Sequence, residues 1–156
     1  MLKAGFAEID ITPPVGTCKI GWIIKIVSTS VADPLYARAA VFAAADRAIA
    51  FIQLDTLCIR WTQVHDIRTR IARQYGFPAD NIMVSATHNH AGPAVANSGE
   101  TQRDPAYLET LTQRCVTVFG QALAKLQAVE IGAGHAFEWR VAHNRRVVMR
   151  DGTANT

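Results

Sequence analysis

Two histidines one residue apart, His88 and His90, stand in the run Ser85-Ala86-Thr87-His88-Asn89-His90-Ala91-Gly92-Pro93. Imidazole is the commonest neutral ligand for zinc, and a catalytic zinc takes three protein ligands and leaves one position open. In extended backbone, residues i and i+2 project to the same side. The spacing therefore lets His88 and His90 converge on one ion or one substrate while Asn89 points away, and Gly92-Pro93 then turns the chain. Two histidines do not complete a site, and an H-x-H is also compatible with one ring capping a strand end and the other facing water. The consecutive letters H-N-H are not an HNH nuclease motif, which spreads its residues over a hairpin and a helix.

Further groups stand within reach of the same chemistry. Asp55 closes the run Phe51-Ile52-Gln53-Leu54-Asp55 and is a candidate metal ligand, or an acceptor for a ligand's ring N–H, the alternative being a solvated strand terminus. In Asn144-Arg145 the guanidinium of Arg145 has the planar fork that holds a carbonyl or carboxylate, the alternative being a plain surface charge. His65, beside Asp66, and His135 and His143 lack partner spacing and read as structural. There is no G-x-S-x-G serine, no glycine-rich phosphate loop and no cysteine in a nucleophile pattern with histidine.

The elements that must position these groups follow from periodicity. Lys3 to Asp10 reads as a strand ended by Thr12-Pro13-Pro14-Val15-Gly16, and a long loop region reaches Pro34. Ala37 to Ala45 and Ala48 to Asp55 are apolar runs split by Asp46-Arg47, predicting a hairpin buried on both faces in mid-sheet. Trp61, Val64, Ile67, Ile71 and Tyr75 keep a helical period that Gly76 and Pro78 close. Asn81 to Ala86 is a strand, so the unit is a βαβ crossover whose second strand delivers the histidines at its carboxyl end, where α/β sheets gather ligands. Asp104-Pro105 supplies an N-cap and first-turn proline for a helix carrying Leu108, Leu111, Cys115, Val118, Ala122 and Leu126. Val129 to Phe137 and Trp139 to Met149 read as strands. Asp151-Gly152 reads as a hairpin turn whose returning strand is missing. The fold class expected is α/β, a mixed sheet with a βαβ crossover and flanking helices, and the missing strand marks an incomplete domain. Trp22 with Ile20, Ile23, Ile24 and Ile26 reads as ordinary core, a lipid entrance being the alternative.

Composition narrows the classes. The chain has 156 residues, 49% hydrophobic and 19% charged, enough for one globular domain over 1–156 and against disorder. The net charge of +3 is scattered apart from Arg140, Arg145, Arg146 and Arg150, which argues against a nucleic-acid partner. Ala37 to Leu54 is broken by Asp46-Arg47, so no segment spans a bilayer. Glu8 and Asp10 interrupt any signal peptide, which predicts a cytoplasmic chain or one whose leader has been removed. Cys18, Cys58 and Cys115 lie far apart and read as reduced thiols.

Five blocks in order give the sequence a resemblance. They are Ala4 to Pro13 (AGFAEIDITP), Asp33 to Ala39 (DPLYARA), Ile49 to Asp55 (IAFIQLD), Ser85 to Pro93 (SATHNHAGP) and Asn144-Arg145. The chain resembles the N-terminal part of the neutral/alkaline ceramidase family, whose usual fourth block is S-A-T-H-T-H-S-G-P, with Asn89 and Ala91 as departures. The resemblance implies a zinc-dependent amidase acting on the amide of an N-acyl lipid. It makes His88 a zinc ligand, sets His90 beside zinc and substrate, and brings Arg145 to the substrate region. It also implies that the remaining ligands, a histidine, a glutamate and a tyrosine, come from sequence beyond the Asn-Arg block. Two other readings stand beside it: a non-catalytic, degenerate homo-oligomeric domain, and a different metal hydrolase built on His88, His90 and Asp55.

Overall fold

A computed structural model describes residues 1–142, 144 and 146–155. Its frame is a five-stranded mixed sheet. The long strands are β1 (Leu2–Asp10), β4 (Tyr36–Ala44), β5 (Arg47–Leu54) and β6 (Ile82–Ala86), and the two-residue β7 (Gln127–Ala128) completes the order β6-β5-β4-β1-β7. Two small strands, β2 (Cys18–Lys19) and β3 (Ile26–Val27), pair with each other inside the region expected as loop. β4 and β5 form the expected antiparallel hairpin around Asp46-Arg47, and β5 pairs in parallel with β6. Parallel pairing needs a crossover, supplied by α1 (Trp61–Tyr75). Gly76 ends that helix with φ 65° and its N–H on the Ala72 carbonyl. α2 (Pro105–Ala124) starts at Asp104, whose carboxylate accepts from Ala106 N–H at 2.9 Å and Tyr107 N–H at 3.1 Å. No helix of the described residues is long and apolar enough to cross a membrane.

The core joins sheet and helices. Val41, Ile52 and Leu54 meet Ile67 and Ile71 of α1 and Leu111, Cys115, Val118 and Phe119 of α2. Phe119 sits at its centre, with ring centroids 5.4 Å from Tyr75 and 5.0 Å from Phe77. The buried Tyr107 hydroxyl donates to the Ile11 carbonyl at 2.6 Å, tying α2 to the exit of β1.

Four expectations are corrected. The β4–β5 hairpin is buried on one face only: along β5, Ala50, Ile52 and Leu54 are buried while Ile49, Phe51 and Gln53 are exposed. The register lines up Phe6, Ala40, Phe51 and Met83 across four strands, and Phe42 meets Phe6 and Phe51 edge-on at 5.8 and 6.1 Å. Near-continuous apolar sequence signals two-sided burial, yet the described helices cover one side. Second, the described residues of Val129 to Phe137 and Trp139 to Met149 do not form long strands. Ile131, Phe137, Trp139 and Val141 are exposed, and an alternating sequence without a partner edge has nothing to pair with. Third, a returning strand is present after Asp151-Gly152, as the two-residue β9 (Ala154–Asn155) paired with β8 (Val147–Val148). Fourth, of the apolar residues around Trp22 only Ile20 is core; Trp22, Ile23 and Ile24 are exposed at the β2–β3 loop.

The one-sided packing sets different costs for aromatic residues on the two faces. Truncating Phe119 to Ala should destabilise the chain by about 3–5 kcal/mol, whereas Phe51→Ala on the bare face should cost under about 1 kcal/mol in urea unfolding. Equal costs would place both rings in cores. Cys115 is fully buried, and that burial pushes its thiol up to about 12. It should resist alkylation in the native chain at neutral pH, while the half-buried Cys18 and Cys58 react.

Candidate functional site

The loop after β6 carries both histidines, and β5 holds that loop in place. Backbone bonds continue the parallel pairing past the strand ends, Thr87 N–H to the Leu54 carbonyl at 3.0 Å and Asn89 N–H to the Thr56 carbonyl at 3.1 Å. Thr56 is itself buried, with its hydroxyl on the Cys58 carbonyl at 3.1 Å. The Asn89 side chain accepts from Ala91 N–H at 2.7 Å, closing an Asx turn. On the other side the β2–β3 segment braces the loop, through Ile20 N–H to the Gly92 carbonyl at 3.2 Å and Ala94 N–H to the Cys18 carbonyl at 3.0 Å.

The two imidazoles converge, but not by the extended route. His88 adopts φ 64°, a left-handed backbone uncommon outside glycine. Even so, the ring centroids stand 4.8 Å apart at 80°, with Nε2 3.2 Å from Nε2. The Nδ1 atoms turn the other way. His88 Nδ1 lies 3.0 Å from the Leu57 carbonyl, and His90 Nδ1 lies 3.0 Å from the Gly21 carbonyl.

Those carbonyls fix the chemistry. A carbonyl only accepts, so each contact is favourable only when Nδ1 bears the hydrogen, and the tautomer follows from this network. Both neutral rings then present Nε2 lone pairs to each other across 3.2 Å, an arrangement that is repulsive until a cation lies between them. Either an extra proton or a metal ion meets that need. Two nitrogens about 2.0–2.1 Å from one tetrahedral zinc lie about 3.3 Å apart, so the donor pair fits zinc as half of its ligand set. The tie of Nδ1 to a carbonyl is the arrangement by which metal-binding histidines are usually oriented. Among the described residues no group of three or more His, Cys, Asp or Glu side chains could hold an ion together.

The other sequence candidates lie elsewhere. Asp55 Oδ2 accepts from the Tyr36 N–H and from Arg38, each at 3.0 Å, and neither histidine hydrogen-bonds to it among the described residues. Its carboxylate locks the ends of β4 and β5 together. Arg145 and His143 lie outside the described residues. His65 packs on Trp61 and His135 on Phe137, away from the pair. Sequence reasoning missed Leu57, Gly21 and Trp22, whose indole N–H donates to the His90 carbonyl at 3.0 Å. No spacing rule links positions 21 and 90, and only a glycine in an aperiodic loop hinted at a close approach.

Comparisons with known proteins identify relatives of the chain. The sequence profile described as "Neutral/alkaline non-lysosomal ceramidase, N-terminal" matches residues 2–103, a stretch that includes Asp55, His88 and His90. Among solved structures, the neutral ceramidase from Pseudomonas aeruginosa has the same fold over 81% of this chain and 22% of its own, with TM-score 0.71 and 23% identity. A ceramidase complexed with C2 gives TM-score 0.68 and 22% identity over the same shares. No curated protein matches the sequence. The chain thus spans 22% of the length of the ceramidases whose fold it shares. With two thirds of its residues matched, including the β6 loop that pairs the histidines, the chain belongs to the neutral/alkaline non-lysosomal ceramidase family.

Proposed function

We propose that this chain is the N-terminal part of a zinc-dependent hydrolase of ceramidase type that cleaves the amide of an N-acyl sphingolipid or a related N-acyl amide. The observation that supports it best is the His88–His90 pair, with each Nδ1 on a backbone carbonyl and the two Nε2 atoms 3.2 Å apart. His88 and His90 would hold the metal through Nε2. Zinc, when bound, supplies a Lewis acid for the amide carbonyl.

The chain's own residues do the rest. The Leu57 carbonyl holds the proton on His88 Nδ1 and so keeps Nε2 free to donate its lone pair. The Gly21 carbonyl does the same for His90. Arg145 is proposed to hold a substrate oxygen through its guanidinium. Asp55 acts one step removed, by fixing Tyr36 and Arg38 and with them the end of β5 against which the histidine loop lies.

Zinc titration of the 156-residue chain tests this reading. One equivalent should bind, and His88→Ala or His90→Ala should abolish binding. Asp55→Ala should weaken it only modestly, because that carboxylate is spent on Arg38 and Tyr36. Zinc that binds equally well to wild type, His88→Ala and His90→Ala would sink the proposal, because the ion would then be held elsewhere. Loss in Asp55→Ala as complete as in His88→Ala would instead make Asp55 a ligand.

A further inference from the structure

The β2–β3 loop reaches His90 from a distant part of the sequence and touches it at three points. The Gly21 carbonyl lies 3.0 Å from the ring Nδ1, the Trp22 indole N–H donates to the His90 carbonyl at 3.0 Å, and Gly21 leaves no room for a side chain. A Cβ placed on Gly21 would collide with His90 Nδ1 and come within 2.8 Å of its Cγ. Gly21 also has φ +100°, which a side chain rarely tolerates, so two separate constraints reserve the position for glycine.

The loop is braced behind this contact. The Glu100 carboxylate accepts from the Lys25 N–H at 3.2 Å, and Gly99 lies so close to the Ile23 carbonyl that a Cβ there would collide with it. Among the described residues His88 takes its Nδ1 partner, Leu57, from the short stretch after β5 rather than from a distant loop.

From these contacts we propose that Gly21 and Trp22 are positioning residues for His90, fixing its ring orientation and its Nδ1–H tautomer so that Nε2 faces His88. Gly21 acts by shape and by its carbonyl, and Trp22 by clamping the backbone from which the ring projects. Only the metal arm of the test below rests on the proposed zinc-binding role of the pair.

Long-range 1H–15N spectra of the metal-free 156-residue chain, recorded where both rings are neutral, report the tautomer of each histidine separately. The wild-type chain should show both rings as Nδ1–H. In Gly21→Ala, His90 should move to mixed tautomers while His88 keeps its signature. Trp22→Phe, which retains an aromatic ring and loses only the indole N–H, should shift His90 in the same direction to a smaller extent. Zinc affinity should fall by about 10–100-fold in Gly21→Ala and by a smaller factor in Trp22→Phe.

An unchanged His90 signature in both variants overturns the proposal, as does a wild-type His90 protonated on Nε2. Equal movement of His88 and His90 also overturns it, since that reports a general disturbance of the fold. If Gly21→Ala does not fold, the Trp22→Phe spectrum decides. Should zinc bind equally well without either histidine while the tautomers respond as expected, the positioning role stands and the metal reading falls.

Discussion

The bond from Thr87 N–H to the Leu54 carbonyl is the constraint on which the candidate site depends. It carries the parallel β5–β6 ladder beyond the last paired residues, and Asn89 N–H to the Thr56 carbonyl extends it once more. A segment that would otherwise be free loop is thereby laid against the chain that follows β5. That placement brings the Leu57 carbonyl to His88 Nδ1, and the ring cannot turn without losing a bond. None of this is available without α1, because two parallel strands cannot be joined by a tight turn. The packing of Ile67 and Ile71 into the core is therefore a condition for the geometry of residues well away from them.

The same sheet is unequal on its two sides. One is closed by both helices, and the other leaves Phe6, Phe51 and Met83 exposed in one cross-strand row. All-parallel sheets are ordinarily covered on both faces, whereas antiparallel pairs, three of the four pairings in this sheet, can leave one face to water. Apolar area in that row would contribute about 25 cal/mol per Å2 to any contact that removed it from water. The edge-to-face contacts of Phe42 with Phe6 and Phe51 shield part of each ring and leave most of the row open.

Much of this was legible in the sequence where local chemistry and packing agree. Gly76 and Asp104-Pro105 mark helix ends by backbone chemistry that needs no tertiary context, and the structure places α1 over the residues that periodicity selects. The β4–β5 hairpin was legible as well. What failed depended on partners. The apolar run from Ala37 to Leu54 records the preference of both faces, yet only contact with helices decides which face is buried, and Ile131 to Val141 alternate without an edge to join. At the site, the convergence of His88 and His90 was anticipated for a reason the backbone does not follow, since His88 is left-handed. The place of Asp55 at a strand end makes its carboxylate a candidate neighbour of the histidines, the alternative being a solvated terminus. Arg38, on the adjacent strand, captures it instead.

His88 also shows why the local geometry points toward a ligand. A non-glycine residue in left-handed backbone costs about 1–2 kcal/mol, and apposed lone pairs at 3.2 Å add an electrostatic cost. Asn89 N–H, Ala91 N–H and two Nδ1 groups are satisfied around this strained turn, so the surrounding bonds offset the cost and hold it in place. Had the fold needed only a connection from β6 to the following loop, a relaxed turn with outward rings would serve without either penalty. Of the two, the lone-pair repulsion is the one that a cation shared by the rings would relieve. In the proposed reading the metal-free chain holds its two donors in the arrangement the ion needs, and little reorganisation remains for binding.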